Sequence, residues 1–332
     1  MENVENVMLD EQPVPQPKRK KRKQVEGRDR FTPLTIFMLV VLLIYVVSMV
    51  SLLVWAFITS VKHNSDFNSN IFGLPRPFSP FINEDTGKPM EWGWQWKNYV
   101  EAFDYFWVIP KGKGAEDKVY LGQMFVNAFI YAIGCAFCNT LVPMLTAYMC
   151  ARFRFFFSKI IHTVVVVVMI LPIIGALPSE IRTAKFFGLY DQLWGLWIMK
   201  ANFLGMYFLV FYGNFKALPM AYTEAAKIDG AGNLDVLVRI ILPLVRNTFF
   251  TIFLLHFIGF WNDYNTPLIY MPSYPTIAYG LYSVTVEKTQ NEMSHITRRM
   301  AASILMLMPI LVLFLSFHKR LLGNLTVGGL KG

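Results

Sequence analysis

Long apolar blocks separated by short polar connections dominate this chain. Blocks at 34–61, 122–149, 160–179, 194–215, 247–270 and 300–317 each approach the roughly 20 residues that a helix needs to cross a bilayer. Ten-residue segments of alternating polarity, which would mark a membrane barrel, are absent. The pattern predicts an all-α, polytopic membrane protein with six transmembrane helices. Lys200 interrupts the fourth block, where a lysine stem can snorkel to the interface. Pro143 and Pro172 fall inside the second and third. A helix bundle tolerates such breaks when neighbours satisfy the freed carbonyls.

The blocks divide the chain into five parts. A basic tail (1–32) reads as disordered and precedes a first transmembrane helix (33–61). A long aromatic loop (62–121) follows, then a five-helix core (122–317) and a short C-terminal tail (318–332). The first apolar run is far longer than the about 7–15 residues of a signal-peptide core, so it reads as an uncleaved span.

Composition agrees with the membrane class. Of 332 residues only 16% are charged, against about a quarter in soluble domains. The net charge of +9 does not point to nucleic acid, because its densest block is Lys18-Arg19-Lys20-Lys21-Arg22-Lys23, just ahead of the first span. Such a block retains the N-terminus in the cytoplasm and touches anionic lipid. Six crossings then place Arg152, Arg154, Lys159, the 216–246 loop and Lys319-Arg320 inside. The 62–121, 180–193 and 271–299 segments fall outside, so both termini are expected in the cytoplasm of a cell-membrane protein. Trp92, Trp94, Trp96, Tyr99, Phe103, Tyr105, Phe106 and Trp107 suit an interfacial aromatic belt, an external docking surface, or both. Cys135, Cys138 and Cys150 read as small helix-packing residues, and the histidines lack metal-ligand spacing. No phosphate-binding Gly-x-x-x-x-Gly-Lys-[Ser/Thr] motif occurs, so no cofactor site is expected in this chain.

The cytoplasmic loop from Pro219 to Leu244 is the most informative segment. Pro219 suits a helix start, and Glu224 falls in the first turn, where negative charge is favoured. Ala225, Ala226 and Ile228 make a small apolar face. Asp229-Gly230-Ala231-Gly232 breaks the helix. Leu234, Leu237, Val238 and Ile241 then recur at helical spacing until Pro243. A short helix of small residues is a shape that slots into a groove on another protein.

At these residues the chain resembles the permease subunits of binding-protein-dependent ABC importers. Glu224-Ala225-Ala226, Asp229-Gly230-Ala231 and Leu242-Pro243 are similar to that family's coupling-loop motif. Asn127-Ala128-Phe129, Ala151-Arg152-Phe153-Arg154, Phe260-Trp261-Asn262-Asp263 and the Gly328-Gly329-Leu330-Lys331-Gly332 ending resemble its carbohydrate branch, most of all the shorter permease of the maltose-type transporter. The resemblance covers essentially everything after the tail. It implies the type I importer bundle and three partners: a homodimeric cytoplasmic ATPase that binds MgATP, a second related permease and an extracytoplasmic solute-binding protein. It also implies that the C-terminal glycines reach between the ATPase subunits. Position 237, often Phe in the family, is Leu here, and the 62–121 loop is longer than usual.

Sugar recognition needs hydrogen-bonding groups beside aromatic faces. At membrane depth the candidates are Asn127, Asn139, Trp261, Asn262 and Asp263, although buried polar residues also serve as helix–helix contacts. An ion-gradient-driven transporter or channel is the alternative. It would need intramembrane acids or a repeat of the span pattern, and Asp263 is the acid closest to a span.

Overall fold

A computed structural model describes residues 32–82, 89–112, 114, 117–153, 155–171, 175–286 and 295–325. The basic tail, Arg154, Pro172 and the 328–332 glycine tail lie outside the described residues. The chain divides into two units, Met1–Ser51 and Leu52–Gly332. The described part of the first is the start of helix α1 (Pro33–Ser60), whose apolar side chains are exposed on every side. That is the composition of a helix whose solvent is lipid. At 28 residues it is long enough to span a bilayer with some tilt.

The second unit is mostly helical. After α1 come α2 (Asn64–Ser69) and α3 (Lys97–Tyr105), then α4 (Leu121–Arg152), α5 (Phe156–Ile170), α6 (Leu177–Phe186), α7 (Leu193–Lys200), α8 (Met206–Ala217) and α9 (Ala221–Ile228). One continuous helix, Asn233–Asn262, follows. It consists of α10 (Asn233–Asp235), π-helical turns over Val236–Ile241, and α11 (Leu242–Asn262). The last elements are α12 (Asn265–Tyr270), α13 (Ile277–Val286) and α14 (Ile296–Leu325). Two small antiparallel pairs interrupt the all-α expectation: β1 (Phe78–Ile82) with β2 (Pro89–Glu91), and β3 (Trp107–Val108) with β4 (Val119–Tyr120).

Four helices among the described residues are long and apolar enough to cross a membrane: α1, α4, Asn233–Asn262 and Ile296–Phe317 within α14. The other two expected spans are not single helices of that length. The 160–179 block is divided between α5 and α6. The 194–215 block is divided between α7 and α8, with Gly205 at φ 136° in the break. The fifth block also differs from expectation. Its helix begins in the loop, runs through Pro243 and ends at Asn262. Proline removes one helical donor and crowds the carbonyl four residues back. The preceding turns widen to accommodate it, with Leu242 N–H bonding the Leu237 carbonyl.

Helix α4 is the axis of the unit and packs against α11, α8, α7, α13 and α5. Half of its buried positions are small, among them Ala128, Ala132, Cys135, Ala136, Thr140 and Ala147. Three apolar clusters lie along it. One gathers Ala102, Phe106, Met124, Phe257, Trp261 and Ala302. A second joins Tyr131 and Cys135 to Leu196, Tyr270 and Met271. The third, at the far end, gathers Met144, Tyr148, Phe215, Ala226, Val236 and Ile241.

The 62–121 segment is built around the C-terminal end of α1. Asn98 Nδ2 donates to the Ser60 carbonyl at 2.8 Å and the Lys62 carbonyl at 2.9 Å, satisfying acceptors that a helix end leaves open. The Lys62 ammonium is fully buried and donates to the Asn70 carbonyl at 2.6 Å. Burial pushes its pKa below the usual lysine range, with Asp66 opposing. Trp92 is buried and stacks on His63 at 5.5 Å, and Glu101 meets Arg298 of α14 at 2.9 Å. The expected aromatic belt is therefore only part of the picture, because this segment has its own folded interior.

Close approach of α7 to α4 occurs at Gly134, where an added Cβ would run into the Trp197 indole. That indole donates to the Ile130 carbonyl at 3.2 Å. Gly134→Val should cost about 1–3 kcal/mol by overpacking, seen as a lower melting temperature in detergent. Gly213→Ala, where an added Cβ meets nothing within 4 Å, should be neutral or stabilising.

Candidate functional site

The loop between α8 and the Asn233–Asn262 helix carries the site. Helix α8 ends at Ala217, and the extended residue Leu218 turns the chain into Pro219 and Met220. The Met220 carbonyl accepts the N–H groups of Thr223 and Glu224, starting α9. Its far end is fixed by a reciprocal pair of backbone bonds. Gly230 N–H donates to the Lys227 carbonyl at 3.1 Å, and Ala231 N–H to the Ala226 carbonyl at 2.9 Å. Gly230 has φ +83°, so this is a Schellman closure with glycine at the left-handed position. The sequence-predicted break is thus a defined turn.

Of the α9 residues only Ala226 is buried, and Thr223 is half-buried. Ala226 is buried with Val236, Leu237, Ile241, Tyr148 and Phe215. Ala225 and Ile228 point outward with Glu224, Lys227, Asp229 and Gly230, so the expected common face of Ala225, Ala226 and Ile228 is split. Ala231 and Leu242 are half-buried, and Pro243 is exposed. The Glu224 carboxylate has no hydrogen-bond or ion-pair partner among the described residues. In the same stretch Tyr222, Ile228, Leu234 and Val238 expose large apolar side chains, Ile228 at 85%. The Asp235–Arg239 pair, 3.4 Å apart and exposed, adds only about 0.3–0.5 kcal/mol to its own helix.

Arg152 is a participant that sequence reading places only by topology. From the end of α4 its Nη2 donates to the Leu218 carbonyl at 3.0 Å, while Nη1 meets the Met220 sulfur. The guanidinium ties the root of the α9 loop to the central helix. Three cations without an acid around the α4–α5 turn were the available signal.

Three of the sugar-site candidates have partners within the fold. Asn127 is buried and its Nδ2 donates to the Pro275 carbonyl at 3.1 Å. Trp261 is buried in the first cluster, and its indole donates to the Met306 carbonyl at 3.1 Å. That carbonyl lies next to that of Leu305, the acceptor that Pro309 leaves without a helical donor. Asp263 shapes a turn: it accepts Asn265 N–H at 2.9 Å and Thr266 N–H at 3.1 Å through Oδ1, and the Tyr131 hydroxyl at 3.1 Å through Oδ2. Asn262 is exposed, with Nδ2 bonded to the Ile258 carbonyl one turn back. Asn139 is half-buried. Among the described residues no group of three or more His, Cys, Asp or Glu could hold a metal.

A helical unit with lipid-length apolar helices defines a multi-pass membrane protein. Residues 140–325 match the family described as binding-protein-dependent transport system inner membrane component, and the chain belongs to that family. It is the membrane-embedded permease subunit of such an importer, which works with an ATPase, a second permease and a solute-binding protein. The chain is 29% identical over 236 residues to the Maltodextrin transport system permease protein MdxG of Bacillus subtilis, covering 69% of this chain and 83% of that protein. It is 23% identical over 290 residues to the Diacetylchitobiose uptake system permease protein NgcG of Streptomyces coelicolor, covering 86% of each. A crystal structure of a bacterial ABC transporter involved in import of the acidic polysaccharide alginate shares the fold. The TM-score is 0.67 at 18% identity, over 86% of this chain and 95% of that one.

Trp261→Phe should remove the donor from the Met306 carbonyl and lower stability by about 1–3 kcal/mol. Asn262→Ala, at an exposed position, should leave the melting temperature unchanged in the same detergent.

Proposed function

We propose that this chain is one of two related permeases in an ATP-driven importer of a sugar or small oligosaccharide, and that α9 is the element through which ATP hydrolysis moves it. The observation that carries this reading is the exposure of α9: a rigidly capped helix held to the bundle by Ala226 and at its root by Arg152. Glu224 and Ala225 face outward. Small residues let a partner's groove approach closely, and the unpaired carboxylate suits a basic residue in that groove. The partner is a homodimeric cytoplasmic ATPase, and MgATP binds there. Gly328-Gly329-Leu330-Lys331-Gly332 would enter the cleft between its subunits, where paired glycines allow tight passage.

Six crossings in the type I arrangement suit this role if α5 with α6, and α7 with α8, each complete one crossing as a broken helix. Broken helices are tolerated where protein or a cavity satisfies the backbone. Both termini are then cytoplasmic and residues 62–121 face the solute-binding protein. Closure of the ATPase dimer would move α9 and rock the bundle between inward- and outward-facing states, a rigid-body change driven by differential contacts. The sugar substrate is supported by the names of the relatives. Of the sequence candidates, Asn139 and Asn262 are the side chains least committed to holding the fold. An ion-driven mechanism is less well supported, because Asp263 is engaged by two backbone N–H groups and the Tyr131 hydroxyl.

A charge-assisted contact at a desolvated interface contributes about 1.5–3 kcal/mol. Glu224→Ala should therefore weaken ATPase association by roughly 10- to 150-fold, and Gly230→Val should weaken it through the left-handed backbone and added bulk. Pull-down of the ATPase with each variant, alongside ATP-dependent uptake in vesicles, measures this. Wild-type recovery and uptake for Glu224→Ala would remove the residue from the mechanism. Topology is checked by impermeant thiol labelling. Lys97→Cys should label from outside and Lys20→Cys should not; the opposite pattern would place α9 on the wrong side.

A further inference from the structure

Beside the α9 root lies a cavity of about 700 Å³ between the C-terminal end of α4, the start of α5 and the end of α8. Its lining includes Arg152, Lys159 and Lys216 with Phe153, Phe155 and Tyr212, and no acidic residue among those described. The positive charge is not neutralised locally. Lys159 and Lys216 are exposed and have no ion-pair partner among the described residues, and Lys216 is instead held over the Tyr212 ring at 4.9 Å. Arg152 spends its terminal nitrogens on Leu218 and Met220, while its buried Nε has no hydrogen-bond partner. Carbonyls that would oppose an anion are partly occupied. Arg152 takes that of Leu218, and the Ser158 hydroxyl takes that of Cys150 at 2.9 Å.

Two further features define the ligand. Helix α5, 15 residues long, starts at the cavity with no side-chain cap and no acid in its first turn. Its free N–H groups and dipole therefore add to the positive potential. The same helix carries an exposed apolar row away from the cavity: Phe156, Phe157, Ile160, Val164 and Val167. A basic pocket at the N-terminal end of a helix that exposes an apolar row matches an amphiphile with an anionic head, and not a free anion. Basic pockets between membrane helices on the cytoplasmic side take anionic lipid headgroups.

We infer that this cavity binds the phosphate of an anionic phospholipid from the cytoplasmic leaflet, with the acyl chains along α5. Lys159 and Lys216 supply the charge, and the α5 N-terminus supplies backbone donors. The headgroup sits beside Arg152, whose own donors stay on Leu218 and Met220 at the root of α9. The inference rests on the cytoplasmic placement of the α9 loop.

The test uses the assembled permease–ATPase complex in nanodiscs of phosphatidylcholine with or without phosphatidylglycerol. Native mass spectrometry reads retained lipid, and pull-down of the ATPase is read in parallel. Wild-type complex should retain phosphatidylglycerol, and Lys159→Gln/Lys216→Gln should lose about 30-fold in its affinity, at about fivefold per cation. ATPase pull-down should be unchanged, which separates this failure from a failure of the α9 assignment. Equal retention by variant and wild type would overturn the inference. So would protection of Lys159 from amine acylation by inorganic phosphate alone with no added effect of phosphatidylglycerol, since that would make the cavity a solution-anion site.

Discussion

Close packing on the small-residue side of α4 is the constraint on which the rest of the unit depends. In lipid, apolar side chains gain nothing by leaving solvent, so helices associate through van der Waals contact and hydrogen bonds. Ala128, Ala132, Ala136 and Ala147 let α7, α8 and α11 approach the α4 backbone. Gly134 makes room for the Trp197 indole. Short polar ties fix the register: Thr140 Oγ1 to His256 Nδ1 at 2.9 Å, and Asn214 Nδ2 to Thr248 Oγ1 at 3.0 Å. The same helix ends in Arg152, so the axis of the bundle is also the anchor of the α9 loop.

That connection gives the loop its mechanical character. A helix of only 8 residues is too short to be stable alone. Three things hold α9: the Ala226 anchor, the Schellman turn at Gly230 and the Arg152 tie to its entry. None of them uses Glu224, Ala225 or the exposed side of Gly230, which leaves those positions free for a partner. A push on α9 would pass into α4 through Arg152 and into the Asn233–Asn262 helix through Val236 and Leu237. Force applied to the loop therefore reaches two membrane-length helices directly.

Much of this was legible in the residues, for identifiable reasons. Uninterrupted apolar runs gave α1 and α4 to within a few residues, because length and composition alone decide them; α14 runs eight residues past the end of its apolar block. The break at Gly230 was legible because few residues but glycine adopt that backbone. The segments 160–179 and 194–215 misled because hydropathy registers apolar composition and not helix continuity. Pro243 misled in the opposite direction: it reads as a stop, yet the π turns before it let the helix continue. Asn127, Trp261 and Asp263 stood out because sugar recognition needs hydrogen-bonding groups beside aromatic faces, and each also has a partner within the fold. Their partners, Pro275, Met306 and Tyr131, are 148, 45 and 132 residues away in sequence, so no local pattern could disclose them. The Arg152 tie, spanning 66 residues to Leu218, was hidden for the same reason.

The central claim is that α9 is a preformed docking helix and not a loop that folds on its partner. Hydrogen–deuterium exchange across residues 219–236, in the permease alone and with the ATPase bound, tests it most directly. The account predicts that the Gly230 and Ala231 amides, bonded within the turn, are already protected in the permease alone, and that ATPase binding adds protection across 221–231. Fast exchange throughout this segment without the ATPase, or added protection confined to other parts of the chain, would contradict it.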